Sequence, residues 1–133
     1  IVANVCDRIP FENKTYDLAV CLDLLQNVPV NSRESLCKEI QRIVKDDGLI
    51  YLFFRNGKFE TDEGHQHQNM GGVMLENVSS FFKGFKLIDI WGINSVESFS
   101  NWPKFFPFEF NRIFYSLGHK ENSKFIGTIW SKI

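Results

Sequence analysis

Two apolar runs joined by one amphipathic stretch limit what this chain can fold into more than any other feature. Tyr16-Asp17-Leu18-Ala19-Val20-Cys21-Leu22 is a short apolar run, preceded by the turn-like Asn13-Lys14 and followed by a polar exit. It reads as a strand buried on both faces, the pattern of a parallel sheet. Leu49 to Phe54 is a second such run. Between them Leu36, Ile40, Ile43 and Val44 fall on one helical face, with Arg33, Glu34, Lys38, Gln41 and Lys45 on the other. Asn31 is the candidate N-cap, with Glu34 three residues on. Gly48 is expected to close the helix as a left-handed C-cap. Strand, helix and strand with joints this short make a right-handed parallel crossover.

The same rhythm continues on both sides. Ile1–Val5 reads as the end of an earlier strand, and Ile9-Pro10-Phe11 as a loop pinned by proline. Residues 56–72, rich in Gly, Asn, Gln and His, form a long loop of the kind that usually carries a function. Val73–Phe82 reads as a helix closed by Gly84, and Phe85–Trp91 as a strand of weak alternation. The aromatic stretch from Pro103 to Leu117 reads as holding a helix that begins near Pro107, inside an insertion spanning 93–122, and Phe125–Trp130 reads as the last strand. One α/β domain over residues 1–133 accounts for the whole.

Composition removes several classes of function. The 133 residues are 44% hydrophobic and 15% aromatic, with 14 Phe, which excludes intrinsic disorder. Fifteen Lys+Arg against 16 Asp+Glu leave no basic stripe for nucleic acid. The longest apolar runs are far short of the ~20 residues that span a bilayer. Cys6, Cys21 and Cys37 share no CxxC spacing, so a reducing, cytoplasmic setting without a disulfide framework is expected. No metal site is expected. The first residues lack a charged leader and a long apolar stretch, and the chain starts with Ile, which suggests a piece of a longer polypeptide.

Three stretches, in order, carry a family likeness. They are Asn4-Val5-Cys6-Asp7-Arg8-Ile9-Pro10-Phe11, then Tyr16-Asp17-Leu18-Ala19-Val20 with Leu25-Gln26-Asn27-Val28, then Glu39-Ile40-Gln41-Arg42-Ile43-Val44-Lys45-Asp46-Asp47-Gly48. Together they resemble the class I S-adenosylmethionine-dependent methyltransferases, in the branch of the ubiquinone/menaquinone-biosynthesis type. The resemblance implies a Rossmann-like fold, a mostly parallel sheet with a final antiparallel strand. It also implies S-adenosylmethionine as cofactor and a small-molecule acceptor, whether metabolite, sugar or lipid-like. The family's Gly-rich loop and its second-strand acid have no counterpart here, so the N-terminal third of the domain is expected to be absent. An inactive methyltransferase-like binding or scaffold module is the alternative. The free edge of the first strand would be completed by an N-terminal region of the same chain or by a second copy.

By this resemblance the cofactor-binding positions are Asn4, Val5, Ile9, Phe11, Leu22 and Asp23. Asn4 would accept from the adenine amino group through its amide oxygen, though Asn is also a common turn former. Val5 would offer its backbone N–H to the ring, and Ile9 and Phe11 would line an apolar slot. Leu22 and Asp23 fall just past a strand end, where ligands sit in open parallel sheets. Gln26 and Asn27 are the acceptor-side positions. Asp17 is expected to hold neighbouring loop amides, and Glu39 with Arg42 to form an i,i+3 ion pair. His67 and His65, in the long loop, are the candidate bases; a solvated, mobile loop is the favoured reading of the segment that carries them. The aromatic insertion is core, pocket roof or partner surface.

Overall fold

The structure, a computed structural model, describes residues 4–59, 71–93 and 123–133. Its elements are β1 (Tyr16–Leu22), α1 (Val30–Ile43), β2 (Val44–Arg55), α2 (Leu75–Phe81), β3 (Phe85–Ile93) and β4 (Phe125–Lys132). Short 3-10 turns lie at Leu25–Asn27 and Gly57–Phe59. The strands form one sheet in the order β1-β2-β4-β3. β1 and β2 are parallel, while β4 runs antiparallel to both β2 and β3. This is the expected Rossmann-like sheet with one reversed strand.

α1 lies across the β1–β2 pair because its Leu36, Cys37, Ile40 and Ile43 meet Cys21, Ile50 and Leu52 in one core. Fully burying such a side chain is worth about 1.5–3 kcal/mol. Phe54, Val78, Phe82, Ile126 and Trp130 extend the same layer, and the rings of Phe82 and Trp130 stack with centroids 5.1 Å apart. Trp130 Nε1 donates to the buried Thr128 Oγ1 at 2.9 Å, so the polar atoms of β4's inner face satisfy one another.

Several local expectations are corrected. The helix begins at Val30 with Pro29 as N-cap, whose carbonyl accepts from Ser32 N, so Asn31 falls inside the first turn. Gly48 is no cap: Val44 leaves the helix directly in extended conformation, and Gly48 lies within β2. The register jumps there, from Tyr16 opposite Val44 to Leu18 opposite Leu49. In that bulge a Cβ on Gly48 would stand 2.5 Å from Val44 Cγ1 and 2.9 Å from the Asp17 carbonyl oxygen. Close backbone approach, not a left-handed turn, is what requires glycine here.

Arg33, expected on the solvent face, is 5% exposed. It donates to the carbonyls of Val28, Gly72 and Gly71, which ties α1 to the segment leading into α2. That helix starts at Leu75, because Val73 instead pairs with Asn56 in a parallel bridge. Gly84 does adopt φ +85 behind α2, as a helix-closing glycine should. The weak alternation of β3 has a cause as well. A register shift between Leu87 and Asp89 leaves Ile88 unpaired and exposed, while Leu87 and Ile90 both pack on the core.

β1 is not buried on both faces. It is the sheet's edge strand, as its uncovered flank led us to expect, and Leu18, Val20 and Leu22 are 53%, 52% and 60% exposed. Both helices cover the opposite face. Of the expected strand at Ile1–Val5, Asn4 and Val5 are irregular, and the rest lies outside the described residues. The helix expected from near Pro107 and the insertion around it also lie outside them, apart from Ile93 at the end of β3.

Two predictions follow from the bulge. Gly48→Ala should lower unfolding free energy by about 1–3 kcal/mol, because the new methyl meets backbone that cannot retreat; chemical denaturation measures it. Within the same bulge Asp46 accepts from Lys14 Nζ at 2.6 Å and from Lys132 Nζ. Those lysines pull its carboxyl down to about 2. A depressed acid contributes stability above the pKa it has when unfolded, and loses it as pH falls through the folded value. The melting temperature should therefore decline between about pH 4 and pH 2, and Asp46→Asn should flatten that part of the curve.

Candidate functional site at the carboxyl edge of the sheet

The parallel pair delivers β1 and β2 to the same edge, where ligands bind in sheets of this type. At the exit of β1, Asp23 takes a left-handed conformation, φ 52, and its N–H donates to the Phe53 carbonyl at 2.9 Å. Positive φ is uncommon outside glycine, although Asp tolerates it better than most residues. Two side chains hold the turn. Gln26 Nε2 donates to Asp23 Oδ1 at 2.6 Å, and Asn27 Nδ2 donates to the Asp23 carbonyl oxygen at 2.6 Å. Gln26 Oε1 in turn accepts from the Arg55 backbone N–H at 3.5 Å, bridging the ends of β1 and β2. The structure thus brings Leu22, Asp23, Gln26 and Asn27 together, with the last two bracing the turn.

Asn4 sits in a turn of its own making. Its Oδ1 accepts from Cys6 N–H, and its carbonyl accepts from Asp7 N–H, both at 3.1 Å. Val5 lines an apolar groove of about 260 Å³ along β1, together with Leu24, Leu18, Val20, Leu36 and Ile40. The Val5 N–H is not spent on any acceptor among the described residues.

Ile9 and Phe11 also line that groove, but the structure holds them near its other end. Arg42, in the last turn of α1, donates to the Ile9 and Phe11 carbonyls and to Asn13 Oδ1. Its ion pair with Glu39 is 2.8 Å long, as expected, and Glu39 Oε2 also accepts from Ile9 N–H at 3.0 Å. Lys14 and Thr15 then donate to the carbonyls of Arg42 and Ile43, and the Phe11 ring meets Tyr16 edge-on at 5.0 Å. This is the amino end of β1, about 20 Å of strand from Leu22. Phe11 lies on the far part of the groove that it shares with Val5 and Leu24. What the sequence could not display is that a helix C-terminus recruits this loop.

Asp17 is placed on Lys45, 2.7 Å away, and not on loop amides. The lysine holds its carboxyl below the usual range. His65 and His67 lie outside the described residues. Asn56, which sequence reading passed over, is 1% exposed at the end of β2. Its Nδ2 donates to the Ser123 carbonyl and its Oδ1 accepts from Lys58 N–H, so it joins the start of the long loop to the chain entering β4. Among the described residues no three metal-ligating side chains cluster, and no helix is long and apolar enough to cross a membrane.

Known proteins share this architecture. Residues 1–52 match the family described as a methyltransferase domain. Over 72 residues the chain is 29% identical to the sterol 4-C-methyltransferase strm-1 of Caenorhabditis elegans, covering 53% of this chain and 21% of that protein. A SAM-dependent methyltransferase from Archaeoglobus fulgidus is similar with a TM-score of 0.66 and 12% identity, over 99% of this chain and 66% of that one. A SAM-dependent methyltransferase from Thermotoga maritima, described as a possible histamine N-methyltransferase, gives 0.63 and 12% identity, over 96% and 61%. At such identities the solved structures establish the fold. The chain spans about a fifth of the curated relative's length.

The Glu39–Arg42 clamp generates a test. Arg42 and the Ile9 N–H hold the Glu39 carboxyl below its ordinary range. Its stabilising contribution is therefore present above that range and lost as pH falls through the depressed value. Arg42→Ala should strip hydrogen-exchange protection from the Ile9 amide and lower the melting temperature. Acidification should strip the same protection in the unaltered protein, while Asp23 N–H, tied to Phe53, keeps its own.

Proposed function

We propose that this chain belongs with the class I S-adenosylmethionine-dependent methyltransferases and acts as the C-terminal part of a catalytic domain that methylates a small molecule. The observation that carries the reading is the braced turn at Asp23. A strained, side-chain-supported exit at the carboxyl end of a parallel strand is costly to hold and is characteristic of ligand sites. The donor set around it fits one side of the cofactor. The unspent Val5 N–H and the Asn4 amide supply a donor and an acceptor for an adenine edge, and Asp23 adds an acceptor at the strand exit. When bound, the cofactor supplies an electrophilic sulfonium methyl group.

The residues present would then do three things. Asn4 and Val5 would orient the adenine. Leu22 and Asp23 would fix the cofactor's amino-acid side against the strand end, and Gln26 and Asn27 would keep that turn in register, facing the acceptor. Positioning of this kind is most of what an in-line displacement asks of a protein. A protonated nucleophile also needs a base, for which the sequence offers His67 and His65.

The acceptor is proposed to be a metabolite, sugar or lipid-like molecule. Similarity to a sterol 4-C-methyltransferase supports that class. A cytoplasmic location accords with the cysteine usage. The free edge and exposed face of β1 would be covered by an N-terminal region of the same chain or by a second copy. One observation favours a non-catalytic module instead: Asn4 Oδ1 already accepts from Cys6 N–H.

Calorimetry of the full-length protein with S-adenosylhomocysteine separates the two. Methyltransferase function predicts a Kd in roughly the micromolar range, and no heat at millimolar ligand would sink it. His67→Ala should lower turnover and leave that Kd unchanged; unaltered turnover removes His67 as the base.

A further inference from the structure

Arg55 is the last residue of β2, one step from the braced turn. The two-residue period puts it on the face of Phe53 and Tyr51, opposite the buried Phe54 and Leu52. Its partner across the sheet is Phe125, whose ring stacks on Phe53 with centroids 5.6 Å apart and planes 10° from parallel. Its own backbone is fixed by Gln26.

The Nε of this half-buried side chain, by contrast, is unanswered among the described residues. That atom is buried without a hydrogen-bond partner, and no carboxylate of the described residues forms an ion pair with the guanidinium. The other arginines of the core layer are spent. Arg33 donates to three carbonyls, and Arg42 to Glu39, Asn13 and two carbonyls. Leaving a buried cationic donor unpaired is unfavourable. In a native chain such an exception at a strand's carboxyl end points to a ligand group that completes it.

We propose that Arg55 anchors an oxyanion of the acceptor, a carboxylate or phosphate carried on an apolar body that rests against the Phe53–Phe125 pair. A guanidinium presents parallel N–H donors that match either group in a two-point contact. The aromatic pair beside it supplies area for the rest of the molecule. The anchor fixes the acceptor at the end of β2, while the turn at Asp23 marks the cofactor's side at the end of β1. The proposal rests on the methyltransferase reading for its acceptor.

The test uses full-length protein labelled for observation of the arginine Nε–Hε resonances, with that of Arg55 assigned through Arg55→Gln. Benzoate is the probe, benzamide its neutral counterpart and inorganic phosphate the second anion. Benzoate or phosphate should shift the Arg55 resonance, and the better of the two names the oxyanion. Benzamide should bind at least about tenfold more weakly, the loss expected when a charged hydrogen bond is removed. Arg55→Gln should weaken the preferred anion by the same order, and Arg55→Lys should restore part of it. Dispersed amide spectra of both variants would guard against misfolding.

Anion binding indifferent to Arg55, or equal binding of benzoate and benzamide, overturns the proposal. So does the absence of any anion binding. S-adenosylhomocysteine affinity should stay within about twofold in Arg55→Gln, because the anchor serves the acceptor. Its complete absence in the unaltered protein would defeat the methyltransferase reading instead, a separate failure.

Discussion

The apolar face of α1 laid across β1 and β2 is the constraint from which the site follows. With Leu36, Cys37, Ile40 and Ile43 seated on Cys21, Ile50 and Leu52, the two strands must run parallel, and their carboxyl ends must share an edge. Asp23 and Arg55 come to that edge for this reason, although 32 positions separate them in the chain. The burial is complete enough to change chemistry. It pushes the Cys21 thiol up to about 11 and the Cys37 thiol up to about 12, so both stay protonated and serve as small apolar side chains.

The strands and helices were legible because each carries its own period. Continuous apolar runs marked β1 and β2, and a helical stripe marked α1. Single-residue roles were less legible. Gly48 resembled a cap because glycine follows many helices, yet the register shift opposite Asp17 governs it. Asn31 resembled an N-cap, but Pro29 ends the extended segment two residues sooner. Arg33 was assigned to solvent by its charge. Its three acceptors are backbone carbonyls, two of them 38 and 39 residues away, and carbonyls leave no trace in a sequence.

The same distinction divides the site. The Glu39–Arg42 pair could be read from its spacing, but not its use as a clamp for the loop at 9–13. That clamp separates Ile9 and Phe11 from Leu22 and Asp23, which the motif alone had grouped. Gln26 and Asn27 lie at the strand exit, where Gln26 donates to Asp23 Oδ1 and Asn27 to the Asp23 carbonyl oxygen. Asn56 and Arg55 gave no signal, because a lone polar residue at the end of an apolar run looks like the beginning of a loop. Burial distinguishes Asn56, and a buried, unpartnered Nε distinguishes Arg55.

β1 presents apolar residues on both faces, which the described helices satisfy on one side only. An edge strand meant for water typically carries lysine, proline or a bulge that blunts it. β1 instead turns Leu18, Val20 and Leu22 outward in succession, and its one charge, Asp17, lies at its amino end beside Lys45. That pattern suits a strand with cover on its second face. The apolar groove along β1 shares this strand, reaching from Phe11 and Tyr16 to Leu24. Cover there would remove water from the groove while leaving the turn at Asp23 at its rim. Hydrogen bonds and charges at that rim would strengthen as the local dielectric falls. An unpaired guanidinium at Arg55 would become still less tolerable without its anion.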